Sequence, residues 1–205
     1  MFPDIFRDDV FRLETRRLWL RWPTPTDAAE IALQADDWQV ARHTAHLPHP
    51  YAPDDADRFI RFARARNASG AGLDLVVELK TGRRDLIGGI GAISARGGME
   101  IGYWLGQPYW GQGLASEAIR ALTEALFLVT SAGRLNARLL PANARSRAVL
   151  ARSGFRSAGD TVAEGRHAGR PAELYALPRA AWAAERRLRD GAETLTACTR
   201  ENVNP

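Results

Sequence analysis

Tyr103-Trp-Leu-Gly-Gln-Pro-Tyr-Trp-Gly-Gln-Gly-Leu-Ala-Ser-Glu-Ala118 is the stretch around which the chain is organised. Just upstream, Met99 to Leu105 alternates and is rich in bulky residues, which reads as a strand. Gly106 and Pro108 end that strand, and Gly111 and Gly113 carry the chain through a tight turn. From Leu114 the period becomes helical, with Ile119, Leu122, Leu126 and Val129 spaced at helical intervals. A strand, a glycine turn and a helix start make an anion site. First-turn N–H groups lack intrahelical partners, and the helix dipole adds roughly half a positive charge there. At Gly111 and Gly113 no Cβ holds a phosphate away from those amides. The bland alternative is a glycine turn that binds nothing.

The pattern excludes two familiar phosphate loops. A Walker loop needs Lys and then Ser or Thr after its last glycine, but Leu114 follows Gly113. A dinucleotide fingerprint needs Gly or Ala where Ser116 stands, and an acidic residue about 20 positions on, which is missing. What Trp110-Gly-Gln-Gly113-Leu-Ala115 does resemble is the acetyl-CoA loop of the GNAT superfamily of N-acyltransferases, Arg/Gln-x-x-Gly-x-Gly/Ala. Trp110 replaces the first Arg or Gln. The longer form, Tyr-Trp-Gly-x-Gly-x-Ala-x-Glu-Ala, is similar to the branch acting on ribosomal-protein N-termini. A second segment, Asn143-Ala-Arg-Ser146-Arg-Ala-Val149-Leu150-Ala-Arg-Ser-Gly154-Phe155, resembles the superfamily's Asn-x-x-Ser/Ala signature. The early pair Thr15-x-Arg-Leu-x-Leu-Arg21 and Thr24-x-x-Asp-Ala28 resembles the first strand and helix of the same branch.

Length and composition bound the rest. A chain of 205 residues with 45% hydrophobic and 25% charged residues fits one soluble globular domain with a possible tail. The net charge is +4, but Lys80 is the only lysine and the arginines are scattered, so no nucleic-acid footprint is expected. The sole cysteine, Cys198, supports neither a disulfide framework nor a Cys-based metal site. Asp4, Asp8 and Asp9 stand where a signal peptide would be basic, and no apolar run reaches membrane-spanning length. The expectation is a cytoplasmic protein, monomer or homodimer, without membrane or nucleic-acid partners.

In chain order, residues 1–13 read as a lead-in and Glu14 to Arg21 as the first strand. A helix capped at Thr26-Asp27 follows. His43 to Pro53 is a proline-broken, His-rich loop. Asp54-Asp55 open a second helix, with Phe59, Ile60 and Phe62 on its apolar side. Leu73–Leu79, Leu86–Ser94 and Met99–Leu105 form an antiparallel meander, with a hairpin turn at 81–85. The long helix stops at Gly133; Arg134–Leu140 is a strand; Pro141-Ala-Asn143 caps a helix ending at Gly154. Phe155–Val162 and Glu173–Leu177 are the last strands, joined by a loop at 165–171. The expected domain is 14–178, followed by a helix and polar tail over 179–205. The fold class is α/β (α+β). The resemblance makes it the GNAT fold, a mixed sheet of about seven strands splayed in the middle.

The resemblance also implies roles. The strands at 99–105 and 134–140 would part around the pantetheine arm, which would pair with backbone near Trp104 and Leu105. The pyrophosphate would sit on the amides of Gly111, Gln112, Gly113, Leu114, Ala115 and Ser116, and Asn143 would bond the arm. Many relatives carry a Tyr acid where Leu150 stands; in the nearest branch the serine of the second signature takes that part, here Ser146. The alternative is that Ser146 only caps its helix. Acetyl transfer needs a neutral amine, hence a general base or a water chain, and Glu100 stands on the central strand where relatives place one. A solvated partner for an arginine is its other reading. Glu117 reads as a dipole-stabilising carboxylate. His43, His46, His49 and His167 lack metal spacing, so no metal is expected; His46, His49 and Tyr51 are candidates to line the acceptor pocket. Trp104 and Trp110 read as packing residues. The function implied is acetyl transfer from acetyl-CoA to an amine acceptor by direct attack; a non-catalytic acyl-CoA-binding module is the alternative.

Overall fold

The computed structural model describes residues 2–80, 85–95 and 97–188. Its strands are β1 (Arg12–Glu14), β2 (Leu18–Arg21), β3 (Gly72–Leu79), β4 (Leu86–Ala95), β5 (Gly98–Leu105), β6 (Arg134–Leu139), β7 (Arg156–Val162) and β8 (Pro171–Pro178). They form one sheet in the order β1-β2-β3-β4-β5-β6-β8-β7. All neighbours are antiparallel except β5 and β6. The described residues thus hold eight strands, against about seven expected. The additional one, β1, is a three-residue edge strand pairing Leu13 with Leu20, too short for a periodic signal.

Helices cover both faces: α1 (Ala28–Ala35), α2 (Trp38–Ala41), α3 (Pro53–Ser69), α4 (Leu114–Val129) and α5 (Ala144–Arg152). Residues 179–188 are also helical, and Trp182 there stacks on Phe127 at 5.1 Å. The larger core joins one face of the sheet to α4 through Leu18, Leu20, Ile101, Leu105, Ile119, Leu122 and Leu126. Each such side chain contributes about 1.5–3 kcal/mol by leaving water. Phe2 and Phe6, in the lead-in stretch, belong to this core. A smaller cluster joins Ile31, Ala35, Tyr51, Ile60, Val76 and Leu86, burying α1 and α3 on the other face.

Several local expectations change. Phe62 faces solvent, with Arg66 over its ring at 4.8 Å, because Ile60, Ala56 and Ala63 set the buried stripe of α3. Helix α4 ends at Val129 rather than Gly133, since the Thr130 hydroxyl donates to the Leu126 carbonyl at 2.7 Å and closes the last turn. Asp27 reaches back to the Thr24 amide at 2.6 Å and also receives both Arg21 Nη groups at 2.8 Å. The predicted turn at 81–85 lies, apart from Asp85, outside the described residues, as does the tail beyond 188.

One register matters for everything below. β5 stays paired with β4 from Gly98↔Ala95 to Leu105↔Gly88, and β6 with β8 from Arg134↔Pro178 to Leu139↔Glu173. Between β5 and β6 only Met99↔Leu135 and Glu100↔Asn136 pair. Beyond those two positions the strands part, so the sheet is split through its middle.

Candidate active site

The glycine loop is built as its sequence requires. Gly111 and Gly113 both hold φ of +75°, a left-handed conformation that side chains other than glycine's adopt at a cost. Gly113 is the N-cap of α4 and offers no side-chain oxygen to the first turn, which leaves those N–H groups available. A Cβ at Gly111 would meet nothing within 4 Å, and one at Gly113 only Arg17 Nη2 at 3.6 Å, so the space beside both glycines is open. Leu114 and Ser116 are buried. Ala115 packs against the core. Gln112 folds its side chain back onto the Pro108 carbonyl at 3.0 Å.

The loop is fixed by residues far away in the sequence. Glu117, in the first turn of α4, accepts from the Thr15 hydroxyl at 2.7 Å, the Arg17 amide at 2.8 Å and Arg17 Nε at 2.7 Å. Burial pushes its pKa up, but these donors outweigh burial and hold the carboxyl below its usual range. The structural role expected for Glu117 is what these bonds describe. Trp110 donates its indole N–H to the Leu105 carbonyl at 2.8 Å, and Arg145 lies over its ring at 4.8 Å. Trp104 packs against the smaller core cluster.

The split sheet separates two sets of groups. Alternation along β5 sends Met99, Ile101, Tyr103 and Leu105 to the face carrying α4, and Glu100, Gly102 and Trp104 to the other. On the α4 side the Tyr103 hydroxyl lies 2.7 Å from Ser146 Oγ. Burial raises the Tyr103 pKa to about 12, partly offset by that bond. Tyr103 was missed at the sequence level; its one signal was that a Tyr in a buried strand needs a partner for its hydroxyl. Ser146 is reached through Asn143, whose Oδ1 caps α5 by accepting the Ser146 amide at 3.1 Å. The oxygen of Asn143 is thus used locally, and its Nδ2 is the group left for a ligand. Leu150 is fully buried and offers no proton.

On the other side Glu100 accepts from Arg138 Nη2 at 3.1 Å, and Arg138 also pairs with Glu164. Burial raises the Glu100 pKa, Arg138 opposes it, and the Glu164 charge adds to the rise. Asn136, opposite Glu100 in the register, has its buried Oδ1 without a partner among the described residues. Gly102 is exposed although β5 is a central strand, and a Cβ there would meet nothing within 4 Å. The space between Glu100 and Trp104 on this face is therefore open. Two loops border this region and are tied together: the Arg166 amide donates to the Ala45 carbonyl at 2.9 Å and its guanidinium to the Leu47 carbonyl at 2.8 Å. His46 stands near Glu100. His49 lies 3.4 Å from Asp36, away from Glu100's ion pairs, and Tyr51 is buried in the smaller core cluster. His43 and His167 are held below the usual imidazole pKa, chiefly by burial and then by neighbouring arginines. Among the described residues no group of His, Cys, Asp and Glu has the arrangement to hold a metal, and no helix is long and apolar enough to cross a membrane.

Comparisons with known proteins point the same way. No curated protein matches the chain significantly. Among solved structures it is similar to Mycobacterium smegmatis RimJ in complex with CoA-disulfide (26% identity, TM-score 0.73, 87% of this chain and 90% of that one). It shares the fold of a putative ribosomal-protein-serine acetyltransferase from Vibrio cholerae (24%, TM-score 0.68, 87% and 99%). The same holds for the microcin C7 self-immunity acetyltransferase MccE in complex with acetyl-CoA and AMP (21%, TM-score 0.71, 80% and 93%). The model of the acetyltransferase (GNAT) domain matches residues 17–156, from the arginine that holds the loop through both signatures, and this chain therefore belongs to the GNAT acetyltransferase family.

Proposed function

We propose that the chain transfers acetyl from acetyl-CoA to a primary amine, a protein N-terminus or a small amine, by direct attack. The observation that carries this is the split between β5 and β6, with hydroxyls on one face and a carboxylate on the other. The amides of residues 111–116 fit a diphosphate, since the loop is open and its first-turn N–H groups are uncapped. Backbone near Trp104 and Leu105, with Asn143 Nδ2, holds the pantetheine arm. Acetyl-CoA supplies an acetyl group activated as a thioester. Glu100 takes the proton that the attacking amine loses, directly or through water; burial raises its pKa and makes it a stronger base than an exposed carboxylate. Ser146 donates a hydrogen bond to the departing sulfur. The sole cysteine lies in the tail, far along the chain from this region, so no acetyl-enzyme is part of the scheme.

Thiol release from acetyl-CoA, measured over N-terminal peptides and small amines, tests the proposal. Release dependent on an amine, with matching N-acetylated product, supports it. Tight acetyl-CoA binding with no release for any amine favours a non-catalytic binding module.

A further inference from the structure

We propose that Tyr103 is a positioning residue for acetyl transfer, holding the Ser146 hydroxyl so that its hydrogen faces the leaving sulfur. The inference rests on the part proposed above for Ser146. The phenol oxygen is 2.7 Å from Ser146 Oγ and 3.5 Å from the Ser146 carbonyl, so the short bond is to the side chain. A phenol is a stronger acid than an alkyl hydroxyl, and in the proposed arrangement Tyr103 is the donor and Ser146 Oγ the acceptor of this bond. A hydroxyl that accepts a hydrogen bond becomes a better donor itself. Ser146 is half-buried at the start of α5, and among the described residues its Oγ has no other partner. Its own hydrogen is thus free to turn into the split between β5 and β6. Tyr103 is anchored against the larger core and cannot follow a moving ligand.

The chemistry balances without ionising either residue. The amine nitrogen bonds to the acetyl carbon and yields its proton to the base. The carbon–sulfur bond breaks with its electron pair on sulfur, stabilised by the Ser146 O–H. A thiolate whose thiol has a pKa of about 8.5 is too weak a base to take the proton of a phenol of pKa about 12, so the sulfur is protonated from solvent. The Tyr103–Ser146 pair contributes hydrogen bonds that strengthen as charge gathers on sulfur.

The test is a cycle of Tyr103→Phe, Ser146→Ala and the double variant, each checked by thermal melting and by calorimetric titration with acetyl-CoA. Tyr103→Phe is expected to melt like the wild type, to keep acetyl-CoA affinity within about twofold, and to lose roughly fivefold in kcat, the worth of one hydrogen bond. Adding it to Ser146→Ala should change kcat no further. With the oxygen-ester analogue of acetyl-CoA, whose leaving group is more basic, the Tyr103→Phe loss should grow. Equal losses in the wild-type and Ser146→Ala backgrounds, or an unchanged kcat for Tyr103→Phe while Ser146→Ala is slow, overturn the inference alone. If Ser146→Ala itself turns over normally, the part given to Ser146 fails with it.

Discussion

Arg17 and Glu117 are 100 residues apart in sequence and 2.7 Å apart in space, and their ion pair fixes the glycine loop. Arg17 Nη1 also donates to the Gln112 carbonyl at 2.9 Å, so one guanidinium spans the helix start and the loop before it. Glu117→Ala strands both Thr15 and Arg17. A loss of about 2 kcal/mol in urea unfolding is expected, in the range for hydrogen bonds to a charged group. Because the folded pKa of Glu117 is lowered, its contribution is present above the ordinary carboxyl pKa of about 4.3 and is lost as pH falls through the lower folded value. Wild-type and variant stabilities should therefore converge in acid; a gap that widens as pH falls would refute the assignment.

Gly113→Asp places a negative side chain at a left-handed position where the diphosphate is proposed to sit. The fold should survive, since only the end of the Arg17 side chain lies within 4 Å of the new Cβ. Calorimetric binding of acetyl-CoA should vanish. Unchanged affinity in a folded variant removes the loop from the cofactor site.

Glu100 makes a prediction about pH. Burial lifts its pKa and Arg138 pulls it down, so the acidic limb of the rate profile should lie above the ordinary carboxyl value. Glu100→Gln should lower kcat by roughly 10²-fold and abolish that limb. Arg138→Gln removes the opposing cation and should move the limb to higher pH. A limb that stays in place in both variants assigns the base elsewhere.

Gly102 offers a steric test. A Cβ there meets nothing within 4 Å, on the same face of β5 as Glu100 and Trp104. Gly102→Val should leave thermal stability nearly unchanged, yet reduce kcat/KM for the amine by roughly tenfold or more through misplacement of the reactants. Full activity would put the acceptor on another surface.

The loop and its helix were legible because their signals are local: glycines where φ is positive, then a helical period from Leu114. The second signature was legible for the same reason, since the Asn143 cap and Ser146 lie within one turn. What escaped depends on register. Glu100 and Arg138 sit on strands that were both expected, but their meeting follows from the two-residue parallel pairing at Glu100↔Asn136, which no local pattern encodes. Tyr103 looked like one more bulky residue of a core strand until α5 brought Ser146 to its hydroxyl. Phe62 failed in the opposite direction: hydrophobic and next to the helical stripe, it falls between Ile60 and Ala63 on the face of α3 turned to solvent.

The most direct measurement is intact-protein mass and thiol release followed together during turnover of acetyl-CoA with an accepted amine. Direct transfer predicts one thiol released per N-acetylated amine, with the protein mass unchanged throughout. A protein that gains an acetyl group before product appears, or that binds acetyl-CoA and never releases thiol, contradicts the account.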